Sequence, residues 1–418
     1  MSAMMRTAWM VVALLWPVAL LNYLDRQMIS SMKTSVMADI QNVGSEANWG
    51  YMLGQFKWVY AILSPLGGYL ADRFSRRLTI CGSLFAWSAI TWWTGQVTSY
   101  KELLWARTFM GISEAFYIPA ALALIADYHH AGTRSRAVGL HQMAIYCGVI
   151  LGGFGGYIAQ NPDYGWRFAF NFTGLAGVLY ALPLMLLLRD APVHASSQQS
   201  NSKPGFISAM ELLMGNVSFV LLVLYFTLPA LAGWVVRDWM PSILEKAFQI
   251  SQGRAGVSAT LFWQFAAIIS AFLGGWWADR MMKRTNRGRI YVSAVGMALI
   301  IPALFGVGNS TEVNSLGLAI ASLVLFGIGW GLFDGNNMPI LSQIVPSHLR
   351  ATGYGIMNLV SISCGGLADW GFGILRDRQV SINMIFSVFA SLALISVVLV
   401  LLIRPKVDLE NTASGENQ

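Results

Sequence analysis

Charge is scarce in this chain. Only 11% of its 418 residues are Asp, Glu, Lys or Arg, while 56% are apolar; a soluble protein carries about 25% charged residues. That deficit excludes an ordinary water-soluble domain and points to lipid as the solvent. Cysteine is scarce too. Cys81, Cys147 and Cys364 all lie inside apolar runs, where a thiol packs as a small hydrophobe, so neither a disulfide frame nor a metal site is expected. The chain has no P-loop, HExxH helix, nucleophile elbow or redox Cys pair, which argues against ATP drive and against an intramembrane enzyme, with no cofactor expected. Nothing reads as a cleaved secretory signal, because the first apolar run is long enough to stay in a membrane. The net charge of +7 fits a Lys/Arg excess on one side of a bilayer; no nucleic acid is implied.

What is present is a series of long apolar runs, each able to span a bilayer as a helix. About twelve are read, near 8–31, 49–70, 77–96, 101–126, 136–160, 166–188, 216–240, 255–277, 288–307, 315–340, 350–373 and 381–403. The polar stretch "RDAPVHASSQQSNSKPG" (189–205) has linker composition. The expected organisation is a six-helix bundle over 1–188, a linker over 189–215, a second bundle over 216–405 and a tail over 406–418. Arg6, Arg73, Arg76, Arg77, Arg134, Arg136, Arg189, Lys203, Arg280, Lys283, Arg284, Arg287, Arg289, Arg350, Arg404 and Lys406 fall on one side of this arrangement. The positive-inside rule puts that side, with both termini and the linker, in the cytoplasm, as for a multi-pass protein of the cytoplasmic membrane.

The two halves echo each other. "GGYLADRFSRR" (67–77) follows the second span and "GGWWADRMMKR" (274–284) follows the eighth, the second of its own half. A repeat at the same place in each half is the mark of a duplicated transporter fold. The motif Gly68-x-x-Ala71-Asp72-Arg73-x-x-Arg76-Arg77 resembles the signature loop of the major facilitator superfamily, with Ser75 where that family usually has Gly. The resemblance implies an all-α membrane protein: twelve helices in two pseudo-symmetric six-helix bundles, usually monomeric, around a cavity that opens to each side in turn. Asp72, Arg73, Arg76, Asp279 and Arg280 are then expected to latch the cytoplasmic gate.

Charges inside the spans are the chemical signal, because an ionised side chain at bilayer depth costs at least ~2.5–3.5 kcal/mol and so faces a cavity or a partner. In the first half these are Asp25, Arg26, Lys57, Arg107 and Glu114. At ~1.5 Å rise per residue, Asp25, Arg26, Lys57 and Arg107 share a level roughly 8–12 Å below the outer surface, and Glu114 lies roughly 10 Å deeper. Asp25 and Arg107 are the expected ion pair. Arg26 and Lys57 are then expected to lack a protein acid, leaving room for an anionic ligand that an Arg can hold bidentately. Glu114, flanked by Ala115, Phe116, Tyr117 and Ile118, is expected to favour its protonated form.

"NYLDR" (22–26) with "RTFMGISEAFYIPA" (107–120) resembles the organic anion/cation symporters, including the sugar-acid carriers. The spinster-like lipid carriers share both motifs, and "LIADYHHAGTRSR" (124–136) is somewhat closer to them. In the symporters the resemblance implies proton transfer at Asp25 and Glu114, substrate carboxylate binding at Arg26 and a charge-pairing role for Arg107. The expected function is proton-driven symport of a small sugar-acid-like anion; the alternative is a spinster-like carrier of lysolipid or another amphiphile. Asn22, Tyr23, Tyr117, Gln142, Tyr146, Gln264 and Asn358 are the candidate neutral ligands. Asn358 matches a polar position of the sugar-acid carriers. Arg237 and Asp238 are expected to pair at the outer gate. Asp334 reads as an inner-gate or capping residue, and His141 as structural.

Overall fold

In hydrocarbon each backbone N–H and C=O has to be satisfied within its own segment, so apolar runs of this length fold as helices. The computed structural model describes residues 3–73, 75–129, 131–191, 206–346 and 349–405, and all regular structure among them is helical. The first half holds α1 (Ala3–Ser31), a short α2 (Lys33–Asp39), α3 (Glu46–Arg73), α4 (Arg76–Thr94), α5 (Tyr100–Glu114), α6 (Tyr117–Tyr128), α7 (Ala131–Gly153), α8 (Gly155–Ala159) and α9 (Gly165–Leu187). The second half holds α10 (Phe206–Met214), α11 (Val217–Phe248), α12 (Gln252–Met282), α13 (Gly288–Glu312), α14 (Leu316–Ile344), α15 (Arg350–Asp377) and α16 (Ile382–Leu402). Most of the linker, 192–205, the tail 406–418 and the side chains of Asp72 and Arg73 lie outside the described residues.

Local chemistry sets the helix ends. Ser75 caps α4, Ser251 caps α12, Ser315 caps α14 and Ser381 caps α16, each hydroxyl accepting a backbone N–H of the first turn. Ser99 and Glu102 form a reciprocal capping box on α5. Two expected spans are each split in two. The fourth divides between α5 and α6 at Ala115–Phe116, because Pro119 has no N–H to give and its ring crowds the carbonyl four residues back. The fifth divides between α7 and α8 at Phe154, within the run Gly152, Gly153, Gly155, Gly156. That run is a contact surface: a Cβ on Gly156 would stand 2.6 Å from the carbonyl of Gln252 on α12. Likewise a Cβ on Gly54 of α3 would stand 2.8 Å from the carbonyl of Gly366 on α15. Small residues let helices of opposite halves touch backbone to backbone.

Nine helices among the described residues are long and apolar enough to cross a membrane: α1, α5 with α6, α7 with α8, α9, α11 to α14, and α16. The three other expected spans, α3, α4 and α15, are long enough, at 28, 19 and 28 residues. They fall short in apolarity. α3 and α15 face each other across the halves and carry Lys57 and Asp369 in their contact, so the polar residues that weaken their hydropathy are turned to protein.

The loops with Arg76, Arg77, Arg287, Arg289 and Arg350 share one end of the bundle, called the basic face below. There each half ties up its own loops. Arg76 pairs with Asp127, and Arg77 donates to the Met185 carbonyl. Arg289 reaches Asp279 at 3.5 Å, and Arg350 Nη2 donates to the Ser342 carbonyl at 2.9 Å. At the far face, by contrast, the halves are bound together. Lys246 pairs with Glu46 at 2.6 Å. Asp377 accepts the backbone N–H groups of Glu46 and Ala47 at 2.9 and 2.8 Å. Thr34 donates to Glu245, and Ser35 to Gln252. The molecule stands closed at the far face.

Candidate functional site

Between the halves lies a chamber of about 220 Å³. α1 contributes Tyr23 and Arg26, α3 Tyr60, and α7 Gln142 and Tyr146. α11 contributes Phe226, Trp234 and Arg237, and α12 Trp263 and Gln264. α14 contributes Trp330, Phe333 and Asp334, and α15 Tyr354, Asn358 and Ser361. Of the expected ligands, Tyr23, Arg26, Gln142, Tyr146, Gln264 and Asn358 are therefore brought together. Tyr117 is not: its hydroxyl is buried within the first half, donating to the Leu15 carbonyl and lying 2.9 Å from His141 Nε2, with Trp87 against its ring. Asn22 is also buried and does not line the chamber.

The charged residues sort differently from the expectation. Arg26 Nε donates to Glu114 Oε2 at 2.5 Å. The Arg26 guanidinium lies among the rings of Tyr23, Phe56 and Tyr60, at 4.8, 5.0 and 4.7 Å from their centroids, and its buried Nη2 has no hydrogen-bond partner. Asp25 does not pair with Arg107. It accepts from Thr91 Oγ1 at 2.9 Å on α4, while Arg107 Nη2 is 2.8 Å from the sulfur of Met110. Equal depth on two helices does not give a contact pair: the hydrogen bond of Asp25 goes to α4 and not to Arg107 of α5.

Lys57 is not short of an acid either. Its ammonium forms ion pairs with both Asp238 of α11 and Asp369 of α15, and lies 4.2 Å from the Trp234 ring centroid. The expected Arg237–Asp238 pair is absent, since successive helix residues project in different directions: Asp238 turns to Lys57 and Arg237 to the chamber. Arg237 has no carboxylate within ion-pair distance among the described residues; its guanidinium lies over Tyr23 and Trp234, 5.1 and 5.7 Å from their centroids. Among the described residues, the vacancy for an anion that opens on the chamber is thus at Arg237, next to Arg26, and not at Lys57.

Asp369 escaped the sequence reading. It is an acid inside an apolar span, in "CGGLADWGF" (364–372), and the cost rule applied to the first half marks it equally well. Lys33 and Glu46 at the far face were missed as well. Lys33 is buried beneath Trp239, 4.3 Å from that ring centroid, and pairs with Glu46. Burial pushes the Lys33 ammonium down to about 8, against the pull of Glu46. Burial also acts to raise the Glu46 carboxyl, but Lys33 and Lys246 together hold it below its usual value of 4.5. Of the expected gate residues at the basic face, Asp279 meets Arg289, and Arg280 lies over Trp276 at 5.8 Å.

The comparisons agree with this architecture. Residues 15–369 match the family model of the Major Facilitator Superfamily. The chain is 32% identical over 394 residues to protein spinster homolog 1 of Rattus norvegicus, covering 88% of this chain and 73% of that one. It is 26% identical to protein spinster of Drosophila melanogaster, of whose length it spans 61%. It is 24% identical to a probable L-galactonate transporter of Escherichia coli (strain K12), covering 89% and 83%. Among solved structures it resembles a bacterial homologue of the human lysosomal transporter spinster in an inward-facing, unoccupied conformation, with TM-score 0.77, 22% identity and 95% of each chain covered. It also resembles a D-xylose–proton symporter, with TM-score 0.75, 20% identity, and 95% and 98% covered. The split helices, the chamber between two halves and the family match agree: the chain belongs to the Major Facilitator Superfamily and is a multi-pass membrane transporter of small molecules, not an enzyme.

Proposed function

We propose that the protein carries a small organic anion of sugar-acid type across a cytoplasmic membrane together with protons, as a monomer, by alternating access. The basic face is then cytoplasmic, and the conformation described is inward-facing. The observation that carries the reading is Arg237, a guanidinium without a carboxylate partner among the described residues, which lines the chamber beside Arg26. A substrate carboxylate supplies the missing charge, and a guanidinium holds it bidentately. Gln142, Gln264, Asn358 and the chamber tyrosines offer hydrogen bonds to hydroxyl groups. Trp263 and Trp330 offer faces for a sugar ring. The drive is a proton gradient. Glu114, fully buried with Oε1 unpartnered, and Asp25, buried with Oδ1 unpartnered, are the proton carriers. An anion drawing Arg26 away from Glu114 favours protonation of that carboxylate, which links the two ligands.

A second reading, a carrier of lysolipid or another amphiphile, is supported by the aromatic lining and by the 32% identity to a spinster homolog. The polar lining weighs against it: an acyl tail needs an apolar wall, and Arg26, Arg237, Gln142, Gln264, Asp334 and Asn358 all line this chamber. The deciding experiment is a ligand screen by thermal shift on purified protein, using hexuronates, hexonates, their neutral sugars and lysophospholipids. Stabilisation by the carboxylates alone supports the first reading. Stabilisation by lysophospholipids alone replaces it with the second.

A further inference from the structure

The geometry points to a proton-binding site in the cluster Lys57, Asp238 and Asp369, filled when the far-face gate closes and emptied when it opens. This goes beyond the substrate reading and does not depend on which solute is carried. Lys57 belongs to the first half and both aspartates to the second, so the cluster exists only while the halves are closed on each other at this level. All three are buried, at 4%, 7% and 0% exposure. One ammonium serves two carboxylates, leaving one negative charge in excess away from water. Asp369 Oδ1 is in addition buried with no hydrogen-bond partner, a position a bare carboxylate oxygen tolerates poorly.

The other charged groups near the cluster do not form contact pairs with it. Arg26 of α1, Arg107 of α5 and Arg237 of α11 line a void of about 30 Å³ together with Lys57 and Asp238. Arg26 is committed to Glu114, Arg107 lies against Met110, and Arg237 lies over Tyr23 and Trp234. When the halves part, Asp238 and Asp369 meet water and both ionise. On closure one of them takes a proton from the far-face water. The proton rests on a carboxylate oxygen, the Lys57 ammonium is unchanged, and the closed cluster is electrically neutral. The closed state therefore binds one proton more than the open state, and between pH 5 and 7 acid favours closure.

The test is a distance measurement across the far-face gate in lipid nanodiscs, with labels on cysteines at Asp163 and Asn314 and the three native cysteines replaced. The range pH 5 to 7 lies above the lowered Glu46 value and below that of Lys33, and both groups are the same in parent and variants, so a difference in slope between those proteins does not come from either. In a Glu114→Gln/Asp25→Asn background, which removes both coupling carboxylates, the closed-to-open ratio is expected to rise about tenfold for each unit fall in pH, the slope of a one-proton linkage. Asp369→Asn, which mimics the protonated side chain and leaves the Lys57–Asp238 pair, is expected to stay closed with that slope removed; Asp238→Asn is expected to do the same. A slope unchanged in both variants overturns the site, as does a flat profile before either substitution. Because substrate binding is not measured, failure of the anion reading leaves this result untouched, and the reverse holds as well.

Discussion

Arg26 and Glu114 lie 88 positions apart in the chain and form a hydrogen-bonded pair of 2.5 Å inside the first half, at the wall of the central chamber. The guanidinium cannot serve this carboxylate and a substrate carboxylate at full strength together, and that competition is the proposed link between anion and proton. In reconstituted vesicles an inward proton gradient is expected to drive uphill uptake. Glu114→Gln is expected to abolish the accumulation and keep substrate exchange. Normal accumulation by this variant would remove Glu114 from the proton path.

Lys57 holds two acids of the opposite half. Removing it by Lys57→Ala leaves both buried and unpaired, and breaking a buried pair costs about 3–5 kcal/mol. A lower apparent melting temperature in detergent is expected. Much of the loss should return in Lys57→Ala/Asp369→Asn, where one orphan charge is gone. Equal melting of the single and double variants would contradict the assignment.

Gly54 meets the backbone of Gly366 where α3 crosses α15. Gly54→Leu is expected to hold the far-face gate open, because the larger side chain has no space in the closed crossing. Cysteine accessibility at Ser31, which is buried against Gly256 of the opposite half in the closed state, measured with a membrane-impermeant reagent, should increase at least severalfold over the parent. No change would mean that the two helices can close with a wider spacing.

Glu46 gives a pH signature at the far face. Its carboxyl is held below 4.5 in the folded protein, so its contribution to the closed gate is complete above pH 4.5 and is lost as pH falls through the lowered value. Far-face opening on acidification below pH 4.5 is therefore expected. Glu46→Gln should be open more often at neutral pH and lose this acid-dependent step.

The helices were legible because lipid permits few alternatives: length and apolarity alone placed most spans, and the repeat of Gly-Gly-x-x-x-Ala-Asp-Arg placed the two halves. Chamber residues Tyr23, Arg26, Gln142, Tyr146, Gln264 and Asn358 were legible as polar islands in apolar runs. Pairing was not. Depth along a helix follows from counting, but rotation about its axis depends on contacts with the other half, which a periodicity does not report. Hence Asp25 went to Thr91, Lys57 to Asp238 and Asp369, and Arg237 into the chamber. Tyr117 likewise went to the core of the first half, against Leu15 and His141.

The central claim is that the unpartnered guanidinium of Arg237 receives the negative group of the substrate. Its most direct test is the affinity of purified protein for a hexuronate and for the corresponding neutral sugar, in the parent and in Arg237→Gln, at one ionic strength. A charged hydrogen-bonded contact of about 1.5–3 kcal/mol corresponds to a loss of roughly tenfold or more for the hexuronate in the variant, with little change for the neutral sugar. Equal hexuronate affinity in the two proteins, or parent binding of the neutral sugar as tight as that of the acid, would contradict the account.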